Sequence, residues 1–405
     1  MKVLLTIFEE LYPLSGGGTP RISNLARAFA RKGHEVGIAA GIGSSEEEAR
    51  SYLSCGPIWN LRAVSRLDPK KMKKYLVAHP VNMFKLTGAI ARYKPDLVVS
   101  HNTIAGYGAL WGKRLAGKRL AGGSPFTVLD LTDVLFEYLD DYSKGGWLRQ
   151  VQKGGRMIEG AAIRRSNKII TISRAMKTIL LDYGAEAGKV DVVCDGVDLA
   201  IFKKLEARDL RAKYAAGKET VVLFQGVIDP QDGPELLVAT ARAVLAEHPK
   251  TSFWVVGGGT AIPTLQRLVK EAGVGKDFFF SGWVTQAEVA RYLSAGDIGL
   301  VILPDIVSAR GRVTLKEFEY WACGCSVVAP RLPALEEVIE DGKTGLFYKA
   351  GDQNDFAEKI KALIRDPARS RRMGEAGMKL VSEKYRWEKL ADDFVSLCEG
   401  YLAAR

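Results

Sequence analysis

The stretch SARGRVTLKEFEYWACGCSVVAP, residues 308–330, places three cations, Arg310, Arg312 and Lys316, just ahead of a carboxylate, Glu319. It reads as an amphipathic helix starting near 312–314 and running into Gly324, with a buried strand directly after it. The first amides of such a helix lack intrahelical partners and favour an anion such as a phosphate. An ionised Glu319, one to two turns in, would accept paired hydroxyls of the kind a ribose diol presents. The plainer reading of this segment alone is an exposed helical glutamate. A second candidate is His101, one of only four histidines, which ends the apolar run PDLVVS at 95–100. A lone histidine at a strand end serves either structure or chemistry. Asp130 and Asp133 follow in VLDLTDVLFEYL, and Gly16, Gly17 and Gly18 lie just beyond the first apolar run.

The elements that must position these residues come from the apolar pattern, whose period alternates between strand-like and helix-like. Short continuous runs at 2–8, 34–40, 95–100, 126–131, 168–173 and 190–194 predict strands, with amphipathic helices between them. In the first helix Thr19 is the expected N-cap and Pro20 the first helical residue; Ile22, Leu25, Ala26, Phe29 and Ala30 form its apolar stripe, and Gly33 ends it. A second series begins with TVVLFQG at 220–226 and continues at 252–258, 277–282, 297–303 and 325–330. Continuous apolar strands alternating with helices predict doubly wound parallel sheets. Two such Rossmann-like α/β domains follow, 1–198 and 199–385, with a linker near 198–218 and a terminal helix over 386–405.

Composition agrees with two cores: 405 residues, 47% of them hydrophobic, suit two domains of roughly 200 residues. No run approaches the ~18 apolar residues of a membrane span. The opening MKVLLTIFEELYP meets Glu9 and Glu10 too early for a signal peptide and fits a buried strand. Cys55, Cys194, Cys323, Cys325 and Cys398 show neither metal-ligand nor disulfide spacing, so a reducing cytoplasm is the expected compartment. The net charge of +11 is uneven: residues 1–198 hold 29 Lys and Arg against 19 Asp and Glu, and residues 199–405 hold 29 against 28. The excess concentrates between 62 and 94, where Arg62, Arg66, Lys70, Lys71, Lys73, Lys74, Lys85, Arg92 and Lys94 interleave with apolar residues. That run suits either a solvated face or peripheral contact with an anionic membrane. No nucleic-acid-binding module accompanies it.

The segment KEFEYWACG at 316–324 resembles the K-x-x-E-Y signature of family 4 retaining glycosyltransferases, of the group 1 type. SNKIITISRAMKTILLDYGAEAGKVDVVCDGVDLAIF, FQGVIDPQDGPELLVA, VVGGG, SGWVTQAEVARYLSAGDIGLV and LEEVIEDGKTGLFYKAGD resemble further family stretches in the right order, over roughly 160–352. The resemblance implies the GT-B architecture: two Rossmann-like domains facing across a cleft, with the terminal helix returning to the first. It implies that Glu319 holds the nucleotide ribose and that Lys316 lies by the donor phosphates or sugar. His101 would stand beside the donor sugar. Gly16, Gly17, Gly18, Gly226, Val284, Arg310, Arg312, Thr314 and Leu315 would line the donor, and Asp130 and Asp133 the acceptor. The donor would be UDP- or GDP-linked, with no cofactor and no metal.

Two family cations are missing, their places taken by Val227 and Asp232, and a paired acid falls at Gly311. Lys316, Arg310 and Arg312 are expected to supply the missing positive charge at the diphosphate. The reaction implied is sugar transfer with retention to a hydroxyl acceptor, through an oxocarbenium-like state, the departing phosphate taking the acceptor proton. The basic first half favours an anionic acceptor: a lipid-linked glycan precursor at the cytoplasmic membrane face, or a soluble sugar phosphate. A sugar-nucleotide epimerase and a non-catalytic GT-B subunit are the rival readings. A dinucleotide oxidoreductase lacks both the glycine fingerprint and the acidic ribose ligand.

Overall fold

The computed structural model describes residues 1–12, 18–62, 72–117, 123–134 and 146–405. Gly16 and Gly17 lie outside the described residues, as do Arg66, Lys70, Lys71 and the side chains of Lys73 and Lys74. The chain divides into two compact units, Met1–Cys194 with Glu388–Arg405, and Asp195–Trp387.

Among the described residues of the first unit seven strands form one sheet: β1 (Lys2–Tyr12), β2 (Glu35–Ile42), β3 (Ile58–Asn60), β4 (Leu97–His101), β5 (Phe126–Leu131), β6 (Lys168–Thr171) and β7 (Val190–Val192). Their order is β3-β2-β1-β4-β5-β6-β7, and every pairing is parallel. All five residues of β4 are buried, as sheets covered by helices on both faces require. Strand order reverses between β1 and β4, and ligands of open α/β sheets bind at the carboxyl ends of strands at such a point. His101 ends β4 there.

The second unit repeats the plan with β8 (Thr220–Val227), β9 (Thr251–Gly258), β10 (Phe278–Gly282), β11 (Ile298–Leu300), β12 (Ser326–Pro330) and β13 (Gly345–Tyr348). The order is β10-β9-β8-β11-β12-β13, again wholly parallel. Its core joins Val222, Phe224, Phe253, Val255, Ile298 and Val328 of the sheet to Leu237, Leu265 and Phe356 of the helices. The reversal here lies between β8 and β11, which puts Gln225–Val227 at the carboxyl edge where a ligand would sit.

Several boundaries differ from the sequence reading. The first helix spans Gly18–Arg31, so Thr19 lies inside its first turn, fully buried, rather than capping it. The strands β3 and β13 have no counterpart among the predicted ones. They are three and four residues long, too short to show a period. The 198–218 stretch contains a helix, Arg208–Tyr214. The last helix, Trp387–Ala403, packs on the first unit: Phe394, Val395 and Cys398 are fully buried, Arg31 pairs with Asp392 at 2.5 Å, and the Tyr401 hydroxyl donates to Asp191 at 2.5 Å.

Candidate active site

In the first unit the site is built on the edge of β4 and β5, whose register sets His101 beside Asp130. Both are buried, and His101 Nδ1 lies 2.9 Å from Asp130 Oδ2. Arg21, one turn into the Gly18–Arg31 helix and 1% exposed, donates from Nε to both Asp130 oxygens at 2.9 and 3.0 Å, and its Nη2 forms an ion pair with Oδ1 at 2.8 Å. Burial opposes ionisation of Asp130, but Arg21 and His101 outweigh it and hold the carboxyl below the usual range. The far ring nitrogen, His101 Nε2, is buried and has no hydrogen-bond partner among the described residues. It points at Gly18, where an added Cβ would sit 2.3 Å away, so only glycine leaves that space open.

This corrects the expectation for Asp130. A carboxylate with no exposed surface, held by Arg21 and His101, does not face an acceptor. Asp133, two residues beyond β5, is half-buried. Arg21 was missed by sequence reasoning; the only signal is a cation beside Ile22 at the start of an apolar stripe, where a solvated arginine is the default.

In the second unit the helix expected near 312–314 begins at Lys316 and ends at Ala322. Glu317 folds back over its start: the Thr314 amide donates to Oε1 at 2.8 Å and the Thr314 hydroxyl donates to Oε2. The Lys316 amide donates to the Thr314 hydroxyl at 3.3 Å. These amides are therefore used within the turn, not left for a phosphate as the sequence suggests. Burial pushes the fully buried Glu317 carboxyl up to about 7, against the Thr314 hydrogen bonds. Leu315 flanks the helix start and is half-buried.

Glu319 accepts from the Gln225 amide at 2.5 Å, which ties the helix to the end of β8. The Tyr320 hydroxyl accepts from the Gln225 backbone N–H at 2.9 Å and fixes the same junction. Gln225 and Tyr320 thus support Glu319, a role no local pattern announces. Glu319 keeps a partly exposed edge, yet burial pushes its carboxyl up to about 8, with Gln225 pulling it down and Glu317 adding to the rise.

The three expected cations are less free than their spacing suggested. Arg310 pairs with Asp305 at 2.6 Å on the surface. The Lys316 ammonium lies 3.4 Å from Asp232 and 5.1 Å from the Phe224 ring centroid. Arg312 is half-buried, its amide donating to Ala309 at 3.1 Å. Asp232 is itself fixed, because its Oδ2 accepts from the Asp229 amide at 2.8 Å. Asp232, expected from the sequence to stand in a family lysine's place, therefore holds Lys316.

Glycines open the edge beside it. Gly226, at φ 113°, faces the Lys316 side chain, whose Cε would be 3.1 Å from an added Cβ. Gly257, at φ 126°, leaves no room for a Cβ against the Gly226 carbonyl oxygen, 2.1 Å away. Trp283, 70% exposed, lies over Gly258, and the half-buried Val284 follows it. The Thr285–Glu288 capping box pins this turn.

Two doubly wound parallel units, each with a polar site at its strand-order reversal, define the class, and the comparisons with known proteins agree. The glycosyl transferases group 1 model matches residues 206–380 and the glycosyltransferase family 4 model matches residues 15–201. The chain belongs to the family 4 type of group 1 glycosyltransferases, enzymes that use nucleotide sugars. It is 28% identical to a D-inositol 3-phosphate glycosyltransferase of Arthrobacter sp. (strain FB24), over 93% of this chain and 88% of that one. A second such relative, from Catenulispora acidiphila, is 32% identical over 52% of this chain and 50% of its own. Among solved structures, a sucrose-phosphate synthase from Thermosynechococcus elongatus superposes with a TM-score of 0.80 at 21% identity, covering 100% of both chains. Anabaena HepE in complex with UDP-glucose superposes at 0.78 and 16% identity, covering 99% of this chain and 100% of that one. At these identities the structural likeness concerns the GT-B fold.

Proposed function

We propose that the protein transfers a hexose from a UDP- or GDP-linked donor, with retention and without a divalent ion, to a hydroxyl of an anionic, phosphate-bearing acceptor. The observation that carries this reading is Glu319, anchored by Gln225 at the carboxyl edge of β8 beside glycine-opened backbone. It is the group a ribose diol needs. Lys316 lies beside the same edge for the diphosphate, and Trp283 offers an open indole face for the base. His101 would meet the sugar. The preference for a phosphorylated acceptor rests on the excess positive charge of residues 1–198 and on relatives that carry inositol 3-phosphate in their names.

Thermal unfolding of wild type and Glu319→Ala against UDP, GDP, ADP and their sugar conjugates tests the donor site. A ligand at ~100 times its dissociation constant adds roughly 2.7 kcal/mol. One nucleotide should stabilise wild type and leave the variant unmoved. Stabilisation by none would favour a non-catalytic subunit.

A second reading places the acceptor phosphate on a lipid at the cytoplasmic membrane face. Phe84, Trp111 and Leu115 are exposed on two helices of the first unit, with Lys85 and Arg114 beside them in sequence. No helix among the described residues is long and apolar enough to cross a membrane. Salt-sensitive binding to anionic vesicles would favour the lipid; transfer to a soluble sugar phosphate with no vesicle binding would favour the first reading.

A further inference from the structure

What stands behind His101 sets what its far ring nitrogen can do. Arg21 and Asp130 form a buried ion pair in which the guanidinium meets both carboxylate oxygens. Arg21 Nη1 also donates to the carbonyls of Val193 and Cys194 at 3.1 and 3.4 Å. Its plane lies 5.6 Å from the Phe394 ring centroid, so the C-terminal helix backs it. Cys398 of that helix also interacts with Asp130, and burial raises its thiol, which keeps it neutral.

The charges of Arg21 and Asp130 cancel. A proton added to His101 would leave the dry cluster with an uncompensated positive charge, which is costly. The neutral ring has two tautomers, and only one lets Nδ1 donate to Asp130 across 2.9 Å. That tautomer leaves a lone pair on Nε2, the unpartnered atom facing Gly18.

We propose that Arg21 is a positioning residue: by balancing Asp130 it keeps His101 neutral with the proton on Nδ1, so that Nε2 accepts a hydrogen bond from a hydroxyl of the bound sugar. This rests on the donor reading above for the identity of the hydroxyl. The state of the ring stands on the cluster alone. His101 is then a hydroxyl acceptor, not a cation for the phosphates.

The test is the ring-nitrogen spectrum of 15N-histidine-labelled full-length protein between pH 6 and 8. Only four histidines contribute, and loss of one signal set in His101→Gln assigns them. Wild type at pH 7 should show the tautomer with the proton on Nδ1. Arg21→Met, in protein that still melts cooperatively, should lose the wild-type pattern of ring signals, because among the described residues Asp130 then has no other arginine or lysine beside it. Arg21→Lys should keep the wild-type ring signals. A wild-type ring that is imidazolium or Nε2–H at pH 7 overturns the proposal whether or not the variants fold. So does a folded Arg21→Met with an unchanged spectrum. Adding the stabilising nucleotide sugar should move the Nε2 signal only. A correct free spectrum with no response to any nucleotide sugar would count against the donor reading and leave the tautomer assignment standing.

Discussion

At Glu319 burial and ligand chemistry pull in opposite directions. A ribose diol is best held by a carboxylate, yet the free group is pushed up to about 8 and so is mostly protonated at neutral pH. Binding must then release a proton, and nucleotide affinity should climb by up to about tenfold per unit as pH rises from 6.5 towards 8. Isothermal titration across that range should show the rise in wild type and a flat profile in Glu319→Gln. The stability sign follows from the same shift. The folded protein holds protons that the unfolded chain gives up near 4.5, so Glu317 and Glu319 make the fold less stable as pH rises from about 4.5 to about 8, and no further above that. The Lys316–Asp232 pair makes a second expectation. Asp232, buried beside Lys316, repels a diphosphate by roughly 1 kcal/mol, most of its charge being balanced by that lysine. Asp232→Asn should therefore bind nucleotide about fivefold more tightly, with the gain shrinking in high salt.

The strand ends are the elements that carry both sites, and their geometry depends on missing side chains. Gly257 combines φ 126° with a backbone oxygen where its Cβ would be. Gly257→Ala must push the ends of β8 and β9 apart, at about 3 kcal/mol. That corresponds to a fall in Tm of roughly 6–12 °C for a unit of this size, readable by calorimetry. Gly18→Ala is a different experiment, because its clash is with the end of the His101 ring rather than with backbone. It should leave Tm within a few degrees and lower transfer activity by tenfold or more, since the ring must leave its place beside the ligand.

For the whole molecule, the chain passes between its units twice, and the second passage returns a helix to the first unit. Removing residues 388–405 would expose the faces that Leu390, Phe394, Val395 and Cys398 cover. At about 1.5–3 kcal/mol for each large apolar side chain, the first unit should lose several kcal/mol. Calorimetry should then show one transition at markedly lower temperature while the unit built from Asp195–Trp387 melts nearly as before.

The residues by themselves determined the alternation of strand and helix, the doubling of the sheet, and the elements that carry Glu319, Lys316 and His101. Those features are written in short-range periodicity and in motifs a few residues long, which survive without knowledge of the fold. Thr19 as a cap and a helix start near 312–314 fell just wrong, because the turn hydrogen bonds that set a helix end are invisible in the pattern. The partners of the site residues were decided only in three dimensions. Arg21 meets Asp130 across 109 positions and Lys316 meets Asp232 across 84. Nothing local distinguishes those side chains from solvated ones. Burial raises the electrostatic stakes of every charge it encloses, so the tertiary structure, by choosing which charges are enclosed together, set Asp130 behind His101 and bound Lys316 to Asp232.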